Sequence, residues 1–125
     1  MKKETVQEVI IGGVTYVPKG TEVATPAEKL DGLKYVMCRT QSAGVFAGYL
    51  KKRTGQEATL LKARRIWMWN GAASLSQLAT DGTSEPENCK FPCEVESVEL
   101  LQVIEIIPIT AKAKKSISSV PIWSK

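Results

Sequence analysis

The sequence predicts an α+β fold: a small, mostly antiparallel and strongly curved β-sheet with two short helices. β-Branched and aromatic residues fill several short runs between turn signals. Two other segments have apolar residues at helical spacing. The strand runs follow one another without long helices between them, a meander of the kind that can curl into an SH3-like barrel.

Residues 1–32 are predicted to be an N-terminal extension that contains a β-hairpin. Val9–Ile11 and Val14–Val17 flank Gly12–Gly13, a pair that suits the primed turn of a tight hairpin. Further on, Thr21–Gly32 is interpreted as a linker, within which Thr25 before Pro26 could cap one turn of helix.

Residues 33–125 are expected to form a single ligand-binding domain, because 125 residues is an ordinary length for one domain. Its first half is predicted to be a three-stranded meander, with strands at Leu33–Thr40, Val45–Arg53 and Glu57–Trp69. Gly48, inside the second strand, indicates a bulge or a close approach of another backbone. The third strand is expected to be interrupted near Lys62.

The second half of the domain is predicted to be helix, strand and helix. Apolar spacing predicts a short helix within Ala72–Thr80. Val, Ile and Leu dominate Glu96–Ile107, which is predicted to be one well-buried strand. A second helix is predicted over Thr110–Ser119 with Thr110 as its N-cap. The apolar tail around Trp123 needs cover, which we expect from the sheet or from a neighbouring subunit.

The composition favours a binding protein over an enzyme. The chain has no histidine, which removes Ser-His-Asp and Cys-His catalysis and most zinc sites. Its three cysteines, Cys38, Cys89 and Cys93, are odd in number and are expected to be free thiols in a reducing compartment. No metal or cofactor is predicted. No apolar run approaches the roughly 20 residues that cross a bilayer, so a cytoplasmic protein is expected.

Aromatic rings and arginines are concentrated at the end of the third predicted strand. Trp67 and Trp69 follow the adjacent Arg64 and Arg65. Indole faces stack on nucleobases and guanidinium groups bind phosphates, so this pattern favours a nucleotide ligand. The alternative is that the tryptophans pack in the core of the sheet and that the arginines are solvated, which is the commoner situation for aromatics in strands.

The candidate ligand-binding residues each offer a ring, a cation or a small hydroxyl group to a base, a phosphate or a ribose. They are Arg39, Thr40, Ser42, Arg64, Arg65, Trp67, Trp69, Phe91, Lys112 and Lys115. The two lysines are outlying cations on the second predicted helix, and a solvated helix face is the alternative for them. No catalytic residue is assigned.

Long motifs of the chain resemble those of a family of small bacteriophage proteins. The resemblance extends over about residues 35–123 and is carried by Val36–Gly48, Ala63–Ala79, Cys89–Pro92, Val103–Pro108 and Val120–Trp123. In size and in lacking catalytic groups, the chain is also similar to the phage sponge proteins that counter the Thoeris defence.

This resemblance implies an anti-defence function. Thoeris immunity signals through a cyclic ADP-ribose isomer made by a TIR-domain enzyme, and the sponge sequesters that molecule intact. Related members also capture cyclic dinucleotides and trinucleotides of cyclic-oligonucleotide (CBASS) defence systems, and they assemble as dimers and hexamers. The resemblance therefore implies a homo-oligomer in the cytoplasm of the infected bacterial host cell that binds cyclic nucleotides, with no membrane partner.

Two other functions stay open from the sequence. Small curled sheets with aromatics and arginines also bind single-stranded nucleic acid, although a net charge of +4 without a continuous basic stripe makes nucleic acid the less favoured partner. Otherwise the chain is a structural or protein-inhibiting phage protein in which Trp67, Trp69 and Trp123 lie in subunit contacts.

Overall fold

The computed structural model describes residues 9–11, 14–16 and 24–125. Its elements are β1 (Val9–Ile11), β2 (Val14–Tyr16), β3 (Tyr35–Thr40), β4 (Val45–Thr54), β5 (Glu57–Ile66), α1 (Leu75–Asp81), a 3₁₀ turn (Pro86–Asn88), β6 (Glu94–Leu100), β7 (Val103–Pro108) and α2 (Ala111–Ser119). This is the predicted α+β architecture. Within the described ranges, no helix has the length and apolar character needed to span a membrane.

The N-terminal extension contains the predicted hairpin. β1 and β2 pair in antiparallel fashion with Ile11 opposite Val14, and the predicted turn at Gly12–Gly13 lies outside the described residues. The optional turn of helix in the linker, at Thr25–Pro26, does not form. Pro26 forms a β-bridge to Thr110 instead, so this segment lies against the start of α2.

The main sheet has five antiparallel strands in the order β6-β5-β4-β3-β7. The predicted meander forms its centre. The register between β4 and β5 shifts at Gly48, and a Cβ atom at this glycine would lie 3.1 Å from the Cα of Ala63. The close backbone approach predicted for Gly48 is therefore confirmed. Lys62, where an interruption was predicted, has a φ of +49°.

The predicted single strand over Glu96–Ile107 is wrong, because the chain turns at Leu101–Gln102 and its two halves form opposite edges of the sheet. Gln102 adopts a φ of +57° at this turn. Leu100 and Val103 can be at most about 11 Å apart, whereas four strand spacings in a flat sheet span about 19 Å. The sheet is therefore curled at this end. β6 and β7 form no ladder in the described chain, so the sheet is open and not closed into a barrel.

Two apolar cores lie on the two faces of this sheet. The concave core contains residues from both edges: Val36, Cys38, Phe46, Ala58, Leu60, Ala63, Leu100 and Val103. The second core lies between the other face and the helices and includes Met37, Ala47, Ile66, Leu78, Phe91, Ile109 and Ile117. Because alternate residues of a strand point to opposite faces, β3 is buried on both sides.

The helices begin and end as local signals dictate. The hydroxyl of Thr110, the predicted N-cap of α2, accepts a hydrogen bond from Ala113 N at 3.0 Å. α1 ends at Gly82, whose φ is +80°, and a side chain there would collide with Ser116 of α2. The close contact between the helices places the C-terminal end of α2 over the end of β5.

Candidate ligand-binding site

Arg64, a predicted phosphate ligand, is a buried residue that binds backbone carbonyl groups. Its guanidinium donates to five carbonyl oxygens, those of Phe91 (3.2 Å), Pro92 (2.9 Å), Ile117 (3.0 Å), Val120 (2.8 Å) and Pro121 (3.2 Å). Burial lowers the pKa of Arg64, whereas the carboxylate of Glu94, opposite Arg64 on β6, favours its charged form. The carbonyl dipoles stabilise the same charge. Arg64 therefore belongs to the framework, since its guanidinium is engaged by carbonyl groups of the protein itself.

The β3–β4 turn contains predicted ligand residues whose polar groups are used within the turn. The buried Thr40 accepts a hydrogen bond from Ala43 N at 2.8 Å. Arg65 donates to Ala43 O at 2.6 Å, and its guanidinium lies 4.3 Å from the centre of the Phe46 ring. Ser42 is exposed in the same turn. The Thr40 hydroxyl therefore stabilises the turn, whereas Ser42 and Arg65 lie near the surface.

The other predicted cations are exposed and are not gathered into one site. Arg39 donates from Nε to Glu105 Oε1 at 2.8 Å. Lys112 Nζ lies 3.7 Å from Asp81 Oδ1, and Lys115 is exposed on the same helix, α2. Exposed ion pairs of this kind contribute little to stability.

Phe91 and Trp69 belong to the core between the sheet and the helices. Phe91 is fully buried, so its ring is not accessible for stacking on a ligand. Trp69 is half-buried and packs against the same core. The packing alternative stated for the tryptophans therefore describes Trp69, and Phe91 packs in the same core.

Trp67 and Trp123 form an exposed aromatic pair, which we call the Trp67–Trp123 platform. Their ring centroids are 6.2 Å apart, and their planes differ by 12°. The two residues are 61% and 41% exposed. Offset aromatic stacks have centroids about 4.5–7 Å apart, so the two indoles overlap only in part, and both residues keep a large exposed surface. Lys90 Nζ lies 5.6 Å from the centre of the Trp123 ring.

Backbone hydrogen bonds from three separate segments hold this platform. Trp67 N donates to Lys90 O at 3.1 Å, and Trp123 N donates to Phe91 O at 3.0 Å. Phe91 and Ile122 also form a parallel β-bridge. The short stretch Lys90–Phe91 therefore lies between the end of β5 and the C-terminal segment, and it brings together two indoles that are far apart in the sequence.

The platform suits a planar ligand that carries negative charge. Indole faces offer stacking surfaces, and an ammonium group beside them can bind a phosphate. The sequence predicted Trp67 in a site and predicted that Trp123 docks on a surface. It did not indicate Lys90, because one lysine between two loops belongs to no recognisable pattern.

The cysteines do not form a second candidate centre. Cys38, Cys89 and Cys93 are free thiols, as predicted; the first two are buried and Cys93 is exposed. Burial raises the pKa of the Cys38 thiol to about 11. Residues 24–125 and the two described strands before them contain no cluster of three or more side chains suited to a metal ion.

Comparison with known proteins places the chain in a family. A family model for a domain of unknown function, DUF6948, matches residues 33–117. The match covers more than half of the chain and runs from just before β3 into α2, so it includes Trp67 and Lys90 but not Trp123. No curated protein and no solved structure is significantly similar to the chain. The chain belongs to the DUF6948 family of domains of unknown function.

Proposed function

We propose that this protein binds nucleotides without converting them, and that it binds them at the Trp67–Trp123 platform beside Lys90. One observation carries the proposal: two exposed indoles are held almost parallel by backbone hydrogen bonds, with an ammonium group at one ring. Leaving large indole faces in water forgoes the free energy of burying them, and exposed apolar surfaces of this kind are typical of binding sites.

The ligands that we propose are cyclic nucleotide immune signals, either cyclic ADP-ribose isomers or cyclic di- and trinucleotides. Holding them intact would make the protein a phage anti-defence sponge against Thoeris or CBASS systems, acting in the cytoplasm of an infected bacterium. The resemblance of the long sequence motifs to phage proteins supports this proposal. So does a chain without histidine, since histidine is the commonest general acid or base.

The energetics of sequestration favour a homo-oligomer, dimeric or hexameric. Nanomolar affinity requires about −12.3 kcal/mol. Two stacking contacts at about 1–3 kcal/mol each and one charge-assisted hydrogen bond at about 1.5–3 kcal/mol supply about 4–9 kcal/mol together. A second copy of the chain would add the missing contacts. The open sheet edges, β6 and β7, and the exposed Ile122 next to Trp123 are surfaces on which it could pack.

Isothermal titration calorimetry with cyclic ADP-ribose and cyclic di-AMP tests the site. Trp67→Ala and Trp123→Ala should each weaken binding about 5- to 150-fold, the equivalent of about 1–3 kcal/mol for one stacked base. Leu101→Ala is the matched control, since Leu101 is 63% exposed but lies at the opposite end of the sheet. Absence of binding by the unaltered protein, or an equal loss in the control, would refute the proposal.

Single-stranded nucleic acid is the second candidate ligand, because the platform is an open surface on which successive bases could stack. Lys51, Lys52 and Arg53 add exposed positive charge on β4. A mobility-shift titration with single-stranded DNA and RNA distinguishes the two ligand classes. Binding that falls steeply with salt and grows with strand length favours nucleic acid, whereas selective binding of cyclic nucleotides favours a sponge.

A purely structural or protein-inhibiting role is the remaining alternative for the exposed tryptophans. In that case Trp67→Ala and Trp123→Ala would change the size of the oligomer in native mass spectrometry. They would have no effect on nucleotide binding, since none would occur.

A further inference from the structure

We propose that Arg64 is the positioning residue of the Trp67–Trp123 platform: it touches no ligand, but it binds the C-terminal segment where Trp123 faces Trp67. The effect of Arg64 on ligand affinity rests on the proposed function of the platform. The effect of Arg64 on the position of Trp123 holds whether or not the platform binds a nucleotide.

The hydrogen bonds of Arg64 connect two segments that form the platform. Three of its acceptors, Ile117, Val120 and Pro121, lie at the end of α2 and in the chain that follows it. The other two acceptors, Phe91 and Pro92, directly follow Lys90. The last carbonyl groups of a helix have no partner within the helix, and the planar guanidinium can donate to several of them at once.

The C-terminal segment has few other anchors near Trp123. Val120 is its last buried residue, and the side chains of residues 121–125 are exposed. Beyond Val120, the main chain of the segment is held by the hydrogen bond from Arg64 to Pro121, the bridge between Phe91 and Ile122, and the hydrogen bond from Trp123 N. The Trp123 ring also contacts Trp67 and Lys90. Chain termini without such ties are usually poorly ordered. Arg64 holds the chain just before Trp123, so its hydrogen bonds set where the Trp123 indole meets these two side chains.

The end of β5 is connected to both rings of the platform: Trp67 follows it directly, and Arg64 within it binds the segment that carries Trp123. Arg64 is buried against α2, and Trp67 follows three positions later, outside β5 and exposed. If Arg64 acts on ligand binding only by placing Trp123, then its removal must have no additional effect once the Trp123 indole is absent. A general loss of structure would instead weaken binding in either background.

A double-mutant cycle of Arg64→Met and Trp123→Ala tests this role. Methionine keeps an apolar stem over Phe91 but has no donors. The first readout is exciton-coupled circular dichroism of the indole pair, which a purely structural role of Arg64 would leave intact in the folded variant. We expect Arg64→Met to reduce this signal to the level of Trp123→Ala, and Arg65→Ala, the matched control, to retain it. A wild-type signal in folded Arg64→Met would overturn the proposal.

Affinity for cyclic ADP-ribose and cyclic di-AMP is the second readout. Arg64→Met should weaken binding as much as Trp123→Ala does, and the double variant should be no weaker than Trp123→Ala alone. A further loss in the double variant would contradict the positioning role. If the wild-type protein binds neither probe, the proposed function fails, and the dichroism comparison still decides the role of Arg64.

Arg64→Lys keeps the test possible if Arg64→Met does not fold. A lysine at this position retains the charge but cannot reach five carbonyl groups with one ammonium group. We expect a folded protein with a reduced exciton signal. An undiminished signal in this variant would count against Arg64 as the residue that places Trp123.

Discussion

Replacing Arg64 by alanine should destabilise the protein much more than replacing its neighbour Arg65. The Arg64 guanidinium is buried and donates to five carbonyl oxygens, whereas that of Arg65 is half-exposed and donates to one, Ala43 O. Hydrogen bonds to a charged group contribute about 1.5–3 kcal/mol each. The carbonyls of Pro92 and Pro121 lie in part-buried bonds and regain some water when Arg64 is removed.

We therefore count mainly the three buried acceptors, each of which costs about 1–3 kcal/mol when left unsatisfied. Because the substitution also removes the cost of burying the guanidinium charge, we expect a net loss in the lower part of that sum, about 3–5 kcal/mol for Arg64→Ala. Arg65→Ala loses one hydrogen bond and the contact with the Phe46 ring. Because this hydrogen bond is exposed to solvent, it contributes at the low end of about 0.5–1.5 kcal/mol, and the exposed cation–π contact adds about 0.5–1 kcal/mol, so the two contribute about 1–2 kcal/mol together. Small domains have about 5–15 kcal/mol of stability in total, so Arg64→Ala is close to the limit at which the protein still folds.

Urea unfolding followed by circular dichroism measures both values from the midpoint and the slope. Arg64→Met serves where the alanine variant is too unstable, because it retains more apolar contact. Equal losses for the Arg64 and Arg65 variants, within about 1 kcal/mol, would refute the inference that the carbonyl cluster around Arg64 fixes the C-terminal segment.

Three further predictions concern the core and the thiols. Burial raises the pKa of Tyr35 to about 12 from 10.0, so the native state favours the neutral phenol. This stabilisation is complete below pH 10 and is lost as the pH rises through 12, so between pH 10 and pH 12 the unfolding free energy should fall by about 2 kcal/mol more than in Tyr35→Phe. Parallel curves for the two proteins would contradict this. At neutral pH, iodoacetamide should modify the exposed Cys93 at least about 100-fold faster than Cys38, because Cys38 is buried and its pKa is about 11. Peptide mass spectrometry measures both rates, and equal rates would show that Cys38 is accessible. Gly48→Val should lower the unfolding free energy by about 1–3 kcal/mol, because a Cβ there lies 3.1 Å from the Ala63 backbone; an unchanged urea midpoint would show that β4 and β5 are not so close.

The elements that the sequence predicts correctly have local signals. The meander strands are separated by Gly44 and Gly55, both at positive φ, and Thr110 and Gly82 mark helix ends. The division of the last predicted strand has no such signal. Gln102 adopts a left-handed conformation, which a glycine or an asparagine at this position would have indicated from the sequence. The two halves of the predicted strand lie at opposite edges because they pair with β5 and β3, and this pairing is not encoded locally.

The site was harder to predict than the fold for the same reason. Strand alternation indicates that Arg64 and Arg65 point to opposite faces of the sheet. It does not indicate which of the two is buried, because the carbonyl groups that bind Arg64 come from the end of α2 and the chain beyond it. Trp67, Lys90 and Trp123 lie in three segments that meet through isolated bridges and single hydrogen bonds. No periodicity connects such segments, so the sequence offers Trp67 as a candidate residue but does not bring it together with Lys90 and Trp123.

The central claim is that the protein binds cyclic nucleotides without converting them, and native mass spectrometry tests it most directly. The protein is purified from cells that produce cyclic nucleotides, and any bound molecule is then released by heating and analysed. We predict a homo-oligomer that carries a cyclic nucleotide, that releases it chemically unchanged, and that carries none when Trp123 is alanine. A protein that emerges without a nucleotide, or that releases a hydrolysed product, would contradict a trap built from exposed indoles.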